Sequence, residues 1–333
     1  MMAVAALAAC TKSEVAFEQP DAIGFQVVTG KMTKAAVADN VYPEDLNMYV
    51  FAMTETDGGD ANTTADYLKN AEFAKVLVSN GQNLWGGWLN NAAYPYYWPN
   101  VKKLYFAGVS KSGNVNNDAE PTYNNGTITI NGYQPGVGTA VLGDNDLMRF
   151  PTTDESYGKG TVSVPVVMKH ACSWITVQMA GDEWTAGRYT ITDIHIEGLT
   201  TKGNVDLNTA ADWTLSTDAA DLNMTFSVYS NATGKALSTT ATAEGFENTV
   251  NNTVVLPEQV PGTLSITYHF ESQAGEKIEE TVTGSLKFDG AATWVAGTHY
   301  IYTVTITASQ ILIAPEVDGW DTPTDGDFDV EVK

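Results

Sequence analysis

The stretch that decides the fold is TLSITYHF, residues 263–270. Its apolar side chains alternate with polar ones, and a period of two is the signature of a half-buried β-strand. A second stretch, HYIYTVTI at residues 299–306, repeats the pattern. Shorter runs with the same period recur along the chain, at residues 46–50, 104–106, 128–130, 162–166, 175–179 and 224–228. Turn-forming stretches such as TDGGDAN and NNG separate these runs. The sequence therefore predicts an all-β fold.

One stretch, TADYLKNAEFAKVL at residues 64–77, admits a helical interpretation. Asn70 and Phe73 interrupt its apolar stripe, so we predict that its second half is a strand. Many short strands separated by turns are typical of β-sandwiches. A chain of 333 residues suits two such domains. The polar, aperiodic stretch at residues 147–160 places the boundary between them.

Composition and charge exclude several classes of protein. The chain is 43% hydrophobic and can bury a sizeable core, while 40 Asp and Glu against 17 Lys and Arg give a net charge of −23. Such a chain repels nucleic acid and anionic lipid headgroups. No segment approaches the roughly 20 apolar residues that a membrane-spanning helix needs. We therefore expect no nucleic-acid partner and no membrane span.

The N-terminus contains an apolar stretch that stops at a cysteine, VAALAAC at residues 4–10. The small residues before Cys10 are typical of a signal-peptide cleavage site. The sequence LAAC also resembles the bacterial lipobox, which implies cleavage before Cys10, lipidation of its sulfur and anchoring through acyl chains. Because residues 1–9 contain no Lys or Arg, we expect the native start to lie upstream. A lipidated Cys10 leaves Cys172 alone, and we predict that Cys172 is a small buried side chain.

No catalytic constellation is recognisable. The four histidines each lie inside a strand pattern, and no two have metal-ligand spacing: His170, His195, His269 and His299. The chain contains no nucleophile elbow, no phosphate-binding loop and no Cys-x-x-Cys. The acidic stretch at residues 321–329 lacks the order of a calcium loop, so we interpret it as a solvated tail. We predict a protein that is not an enzyme and that needs no cofactor or metal.

The most conspicuous aromatic cluster is YPYYWP, residues 94–99, with Trp85 and Trp88 just before it. Tyr96 and Tyr97 would serve as a stacking platform for sugar rings in one interpretation. In the other, the cluster is a strand end that packs over a core. We favour the second interpretation and expect burial for at least Trp98.

Several motifs occur in an order that resembles a known family. They are NAEFAKVLVSNGQNLW (70–85), YYWPNVKKLYFAGVS (96–110), DLMRF (146–150), KGTVSVPVVMKHACSWITVQM (159–179), VVLPEQVPGTLSITYHF (254–270), WVAGTHYIYTVTI (294–306) and VDGW (317–320). Together with the lipobox, these motifs resemble the fimbrillin-family lipoproteins of Bacteroidales. The resemblance extends from Cys10 to Trp320 and covers most of the chain.

The resemblance implies two tandem transthyretin-like β-sandwich domains and a function as a structural or adhesive subunit of a type V-like surface pilus. Such a subunit reaches the cell surface as an outer-membrane lipoprotein precursor. A protease then removes the segment with the first strand, and a neighbouring subunit donates a replacement. The implied partners are other fimbrillin subunits, membrane lipid through acylated Cys10, the processing protease, and surface glycans or proteins. The alternative is a stand-alone surface lipoprotein that binds glycans through the aromatic cluster.

These expectations divide the chain into four segments. Residues 1–9 are a signal peptide, and residues 10–34 are a lipidated leader with a removable first strand. Residues 35–155 form the N-terminal β-sandwich. Residues 156–333 form the C-terminal β-sandwich with a candidate donor-strand tail.

The removable strand is AIGFQVV, residues 22–28, whose alternation places Ile23, Phe25 and Val27 on one face. Many members of the family carry Thr-Arg-Ala after the first strand and are cut after the Arg, whereas this chain has MTKAAV with Lys34 in the Arg position. We therefore expect a trypsin-like protease to cut after Lys34 or Lys31.

The C-terminal tail offers a replacement strand. Phe328, Val330 and Val332 repeat the three-residue apolar face of the first strand, on a segment that Pro323 and Gly326 loosen. Strand addition of this kind combines main-chain hydrogen bonds with side-chain pockets. The alternative is that the tail is an edge strand or a frayed end of its own domain.

Overall fold

The computed structural model describes residues 22–29, 42, 46–77, 83–87, 96–135, 146–161, 163–246, 254–272, 274–287 and 293–319. These residues contain nineteen β-strands and no helix. The strands are β1 (Gly24–Thr29), β2 (Met48–Thr54), β3 (Leu68–Leu77), β4 (Asn83–Gly87), β5 (Leu104–Ser110), β6 (Thr122–Asn124), β7 (Thr127–Tyr133), β8 (Met148–Phe150), β9 (Val164–His170), β10 (Ser173–Gly181), β11 (Thr190–Leu199), β12 (Gly203–Leu207), β13 (Ala211–Leu215), β14 (Met224–Ala236), β15 (Val254–Val255), β16 (Thr263–Glu271), β17 (Lys277–Ser285), β18 (Thr298–Ile306) and β19 (Ile311–Gly319). The predicted all-β fold is confirmed.

Seven strands close a barrel in the order β1-β4-β3-β2-β5-β8-β9. A four-stranded sheet, β13-β12-β7-β6, packs against it. We call these two units together the barrel body. Strand β2, MYVFAMT, shows why the barrel has cores on both sides: all seven of its residues are buried. Met48, Val50 and Ala52 face the barrel interior, while the residues between them face the covering sheet.

The remaining strands form a second unit, which we call the sandwich body. Its two four-stranded sheets have the orders β15-β10-β18-β19 and β14-β11-β16-β17. The alternating runs of β10, β16 and β18 supply one shared core between these sheets. A three-residue example is Tyr300, Tyr302 and Val304 on β18, all buried. The alternation in the sequence therefore predicts the inward faces correctly.

The stretch at residues 64–77 contributes β3, so the strand interpretation is confirmed. Asn70 adopts a φ of +52°, and the pairing of β2 with β3 shifts register between Val50 and Ala52. Asparagine tolerates this left-handed conformation better than most residues. The features that break the helical stripe thus accompany an irregularity in a strand.

Strand pairing runs across the boundary that the sequence places after residue 155. Strand β9 closes the barrel between β8 and β1, and β12 pairs with β7. The two segments 35–155 and 156–333 therefore share sheets, and their division into domains stays a prediction. No helix in the described residues is long and apolar enough to cross a membrane.

Candidate functional site

The site of interest is the seam of the barrel that β1 fills. Strand β1 runs antiparallel to β4, with Phe25 opposite Trp85, and parallel to β9, with Phe25 opposite Val164 and Thr29 opposite Met168. It joins β4 and β9, the two strands at the ends of the series β4-β3-β2-β5-β8-β9. Without β1, the facing edges of β4 and β9 would lack their backbone partner. We call the space between these two edges, which β1 occupies, the groove.

One face of β1 is buried in the barrel. Ile23, Phe25 and Val27 are 1%, 0% and 5% exposed, respectively. They belong to one core with residues from β2, β3, β5, β8 and β9. The predicted common face of these three residues is thus inward, while their role as a displaced strand stays a prediction.

Phe25 is the central anchor of β1. Its ring meets Phe73 and Phe106 edge-on, with centroids 5.0 and 5.1 Å apart and interplanar angles of 85° and 90°. Phe150 lies 6.1 Å away in a tilted arrangement. Edge-to-face pairs of this kind stabilise a core beyond the area that they bury. The groove therefore has a deep aromatic pocket at its middle.

The residues just before β1 are hydrogen-bonded to the backbone of the aromatic cluster. The backbone N–H of Ile23 donates to the carbonyl of Tyr96 at 2.7 Å, and Ala22 forms a bridge with Tyr97. The hydroxyl of Tyr67 donates to the carbonyl of Tyr97 at 2.5 Å. A strand in this groove is thus bound by main-chain hydrogen bonds at its entrance and by a side-chain pocket at its centre.

The wall of the groove contains a buried hydrogen bond between a histidine and an aspartate side chain. Nδ1 of His170, at the end of β9, contacts Oδ2 of Asp146, and both side chains are almost completely buried. Asp146 begins the DLMRF motif and His170 lies in the KHACS motif, so the fold brings two separate motifs together. The N–H of Met148 also donates to Oγ of Ser110 at 2.8 Å. Sequence inspection found both motifs but not their contact.

Further buried polar contacts secure the same wall. The guanidinium of Arg149 donates to the carbonyls of Asn208 and Thr209 at 2.5 and 2.9 Å. Nε1 of Trp213 donates to the carbonyl of Ala171 at 2.7 Å. These bonds tie β8 and the end of β9 to the hairpin of β12 and β13. The β9 side of the groove is therefore tied to the covering sheet by side-chain hydrogen bonds.

The aromatic cluster divides between core and surface. Trp98 is 4% exposed and meets Phe106 edge-on at 5.7 Å. Tyr96 is half-buried and stacks on Phe73 at 5.3 Å. Tyr97 is 46% exposed. The side chains of Trp85, Trp88 and Tyr94 lie outside the described residues. Most of the described cluster is thus packed over the core, and Tyr97 is its most exposed aromatic side chain.

The cysteine and histidine side chains have structural surroundings. Cys172 is buried, and its burial, together with the charge of Asp146, raises the pKa of its thiol well above the ordinary value. His299 stacks on Trp174 at 3.7 Å, and its Nε2 lies 2.8 Å from Oγ1 of Thr176. In the described part of the chain, no group of three or more metal-ligating side chains is suitably arranged for a metal ion.

Several predicted site residues lie outside the described residues. They are the lipidation residue Cys10, the cleavage residues Lys31 and Lys34, and the donor residues Phe328, Val330 and Val332. Their roles stay predictions. The last described strand before the tail is β19. It pairs antiparallel with β18, and this pairing extends to Gly319, which lies opposite Thr298.

The fold is shared with solved structures of proteins from Bacteroides. A fimbrial protein from Bacteroides vulgatus superposes with a TM-score of 0.52 at 15% identity, covering 90% of this chain and 99% of that one. A candidate cell adhesion protein from Bacteroides uniformis gives 0.51 at 16% identity, with the same coverage of 90% and 99%. One from Bacteroides ovatus gives 0.53 at 12% identity, covering 91% and 99%. At these identities the likeness establishes the fold alone.

The search of curated proteins finds no match. A family model described as fimbrillin-like matches residues 33–320. That range includes the motifs from residue 70 to residue 320 and begins after β1. The chain belongs to the fimbrillin-like family.

Proposed function

We propose that the chain is a non-enzymatic subunit of a type V-like bacterial surface pilus. It is exported as a lipoprotein through Cys10 and assembled by strand exchange after proteolysis near Lys34. The observation that carries the proposal is the position of β1, which fills a groove between β4 and β9 with three buried side chains. The relatives from Bacteroides with fimbrial and adhesion descriptions support the same function.

The energetics explain why removal of β1 would drive assembly. Burying a side chain of this size contributes about 1.5–3 kcal/mol, so the three on β1 contribute roughly 5–9 kcal/mol. That amount is comparable with the net stability of a whole domain, about 5–15 kcal/mol. A cut subunit would therefore need a replacement strand. The tail offers Phe328, Val330 and Val332 with the same spacing.

Limited digestion of the purified precursor tests the proposal. We expect trypsin to cut first after Lys34 or Lys31 and only the cut form to polymerise into oligomers that resist SDS. The double variant Lys31→Gln, Lys34→Gln is the matched control and should stay monomeric after the same treatment. Val330→Asp should block polymerisation while leaving the melting temperature of the monomer unchanged.

The possible results separate the parts of the proposal. A cut form that stays monomeric at high concentration would overturn strand exchange. Polymers that form normally from Val330→Asp would show that the tail is not the donor. Acyl labelling in cells that persists in Cys10→Ala would overturn the lipoprotein assignment.

The second candidate function is a stand-alone surface lipoprotein that binds glycans. The exposure of Tyr97 favours it, because exposed aromatic side chains can stack on a sugar. Burial of Trp98 and the stacking of Tyr96 on Phe73 leave a narrow platform. A monomeric cut form in the digestion experiment would make this function the better one.

A further inference from the structure

The turn between β10 and β11 presents a tryptophan to solvent. Trp184 is 49% exposed, whereas the other tryptophans with described side chains are buried: Trp98, Trp174, Trp213 and Trp294. An exposed indole loses the free energy that burial would supply. The contacts around Trp184 therefore show whether the fold maintains the exposed position of this side chain.

The turn is held rigidly. Oδ1 of Asp182 accepts hydrogen bonds from the backbone N–H groups of Trp184 at 3.0 Å and Thr185 at 2.8 Å. The hydroxyl of Thr185 donates to the carbonyl of Ile306 at 2.7 Å. A Cβ on Gly181 would lie 2.6 Å from Oγ1 of Thr185, so the turn packs tightly on the strand end. A preformed turn costs a ligand little ordering entropy.

The backbone donors of residues 184–189 in this turn are all hydrogen-bonded within the chain. The N–H groups of Ala186, Arg188 and Tyr189 donate to carbonyls within the turn, and that of Gly187 donates to the carbonyl of Leu237. With those of Trp184 and Thr185 bonded to Asp182, none of residues 184–189 offers a free backbone donor. Peptide partners are bound by main-chain pairing, by a groove or by a cluster of arginines, and this turn has a single arginine. Recognition at this turn therefore falls to side chains, which disfavours a peptide partner.

The side chain beside the indole is Arg188. Its guanidinium carbon lies 5.1 Å from the centroid of the Trp184 ring. No ion pair with Arg188 exists among the described residues. The sequence contains two arginines, and the other, Arg149, is buried on the carbonyls of the β12–β13 hairpin. A chain with 40 acidic residues thus keeps its one exposed guanidinium on an exposed tryptophan.

The turn lies far from the groove. Strand β10 begins beside Trp174, whose side chain belongs to the core shared with the barrel body. Its nine residues extend about 30 Å at about 3.3 Å per residue. The turn follows at Gly181, the far end. A strand in the β1 groove would leave this surface open.

We infer that Trp184 and Arg188 form a binding site for a sugar that carries one carboxylate, such as a uronic acid residue. The carboxylate pairs with the guanidinium fork, which matches its planar geometry. The apolar C–H face of the sugar ring packs on the exposed indole beside it. Glu183, exposed in the same turn, accepts hydrogen bonds from sugar hydroxyls and repels groups of higher charge. The net charge of −23 also disfavours dense polyanions.

A matched pair of probes tests this site in the full chain. The first probe is the methyl glycoside of galacturonic acid, which carries one carboxylate, and the second is its methyl ester, which keeps the ring but removes the charge. The readout is fluorine NMR of the chain labelled with fluorotryptophan, in which the Trp184 signal is assigned by its loss in Trp184→Phe. We expect the free acid to shift this signal saturably. The ester should bind at least tenfold more weakly.

Variants complete the experiment. Arg188→Gln should weaken binding of the free acid at least tenfold, whereas Lys277→Gln, a control that removes one exposed positive charge from β17, should leave binding unchanged. Both positions are exposed, so unchanged melting temperatures will show that the variants fold. Absence of a saturable shift, equal binding of acid and ester, or normal binding by Arg188→Gln would each overturn the assignment.

Discussion

The barrel body and the sandwich body are both built from alternating strands, yet they differ in how they are closed. Every strand of the sandwich body lies between Ser173 and Gly319. The barrel body instead needs β1, which precedes the rest of its strands and lies outside the residues that the family model matches. One body is therefore complete within a continuous segment. The other is closed at a seam by a strand that precedes all its other strands.

The largest expected effect follows from removing the central anchor of that seam. Phe25→Ala deletes a fully buried ring that contacts Phe73, Phe106 and Phe150. A Phe→Ala change in a core costs about 3–5 kcal/mol in unfolding free energy. We expect this loss in denaturant titrations. Hydrogen exchange should rise in β4 and β9 but not in β18.

The sandwich body supplies the matched control. Phe246 is also buried, and it packs against Tyr229. Phe246→Ala should cost a similar free energy but raise exchange in the sandwich strands, leaving β9 protected. If Phe25→Ala raised exchange in β18 as much as in β9, the two bodies would unfold as one unit, and the comparison would fail.

Local alternation is enough to predict the strands and their inward faces. The run from Leu264 to Phe270 became β16, and the run from Tyr300 to Ile306 became β18. Ile23, Phe25 and Val27 also face the core as their spacing indicates. This works because side chains of a strand alternate between its two faces whatever the strand pairs with. The burial of Trp98 follows from the same physics of aromatic packing.

Pairing between distant strands is not encoded in any local pattern. Phe25 and Val164 lie side by side in a parallel pair, although about 140 residues separate them. The same holds for Asp146 and His170, which meet only when β8 and β9 align. The sequence does not distinguish Trp184, because a single Trp in a turn does not interrupt the alternation of a strand. Its exposure and its contact with Arg188 become visible only in three dimensions.

A smaller difference in stability is expected between variants of two buried tryptophans, one in each body. In the sandwich body, Nε1 of Trp294 donates to the hydroxyl of Tyr302 at 2.9 Å. In the barrel body, Nε1 of Trp98 is buried, and no acceptor among the described residues reaches it. Removing one partner of a buried hydrogen bond costs about 1–3 kcal/mol. Trp294→Phe should therefore destabilise the chain by about that much more than Trp98→Phe.

The measurement is the difference in unfolding free energy between the two variants in the same denaturant. Both substitutions delete the same atoms, so the loss of packing is matched. The double variant Trp294→Phe, Tyr302→Phe removes both polar partners and should recover part of the loss. Equal costs for the two single variants would mean that the Trp294 hydrogen bond contributes nothing to stability.

The smallest expected effect concerns pH and the outer face of the sandwich body. Nδ1 of His195 lies 2.6 Å from Asp193, and Nε2 lies 2.8 Å from Glu197, both on the same strand. The residues opposite His195 on β14 and β16 are Ser227 and Ser265, which carry no charge. Partial burial lowers the pKa of His195, but the hydrogen bonds to the two carboxylates outweigh it and raise the pKa.

A raised pKa in the folded state stabilises the fold at low pH. The contribution is fully present below the ordinary histidine pKa of about 6.5 and is lost as pH rises through the higher folded value. His195→Gln keeps side-chain hydrogen bonding but removes the charge. We therefore expect the wild type to exceed this variant in stability near pH 5.5 and the difference to shrink at alkaline pH. Because the group is partly exposed, the effect should stay below about 1 kcal/mol.

Urea titrations from pH 5.5 to 9 measure this difference in stability, and Asp193→Asn with Glu197→Gln should abolish its pH dependence. A difference that stays constant across this range would show that the charge of His195 contributes nothing to stability.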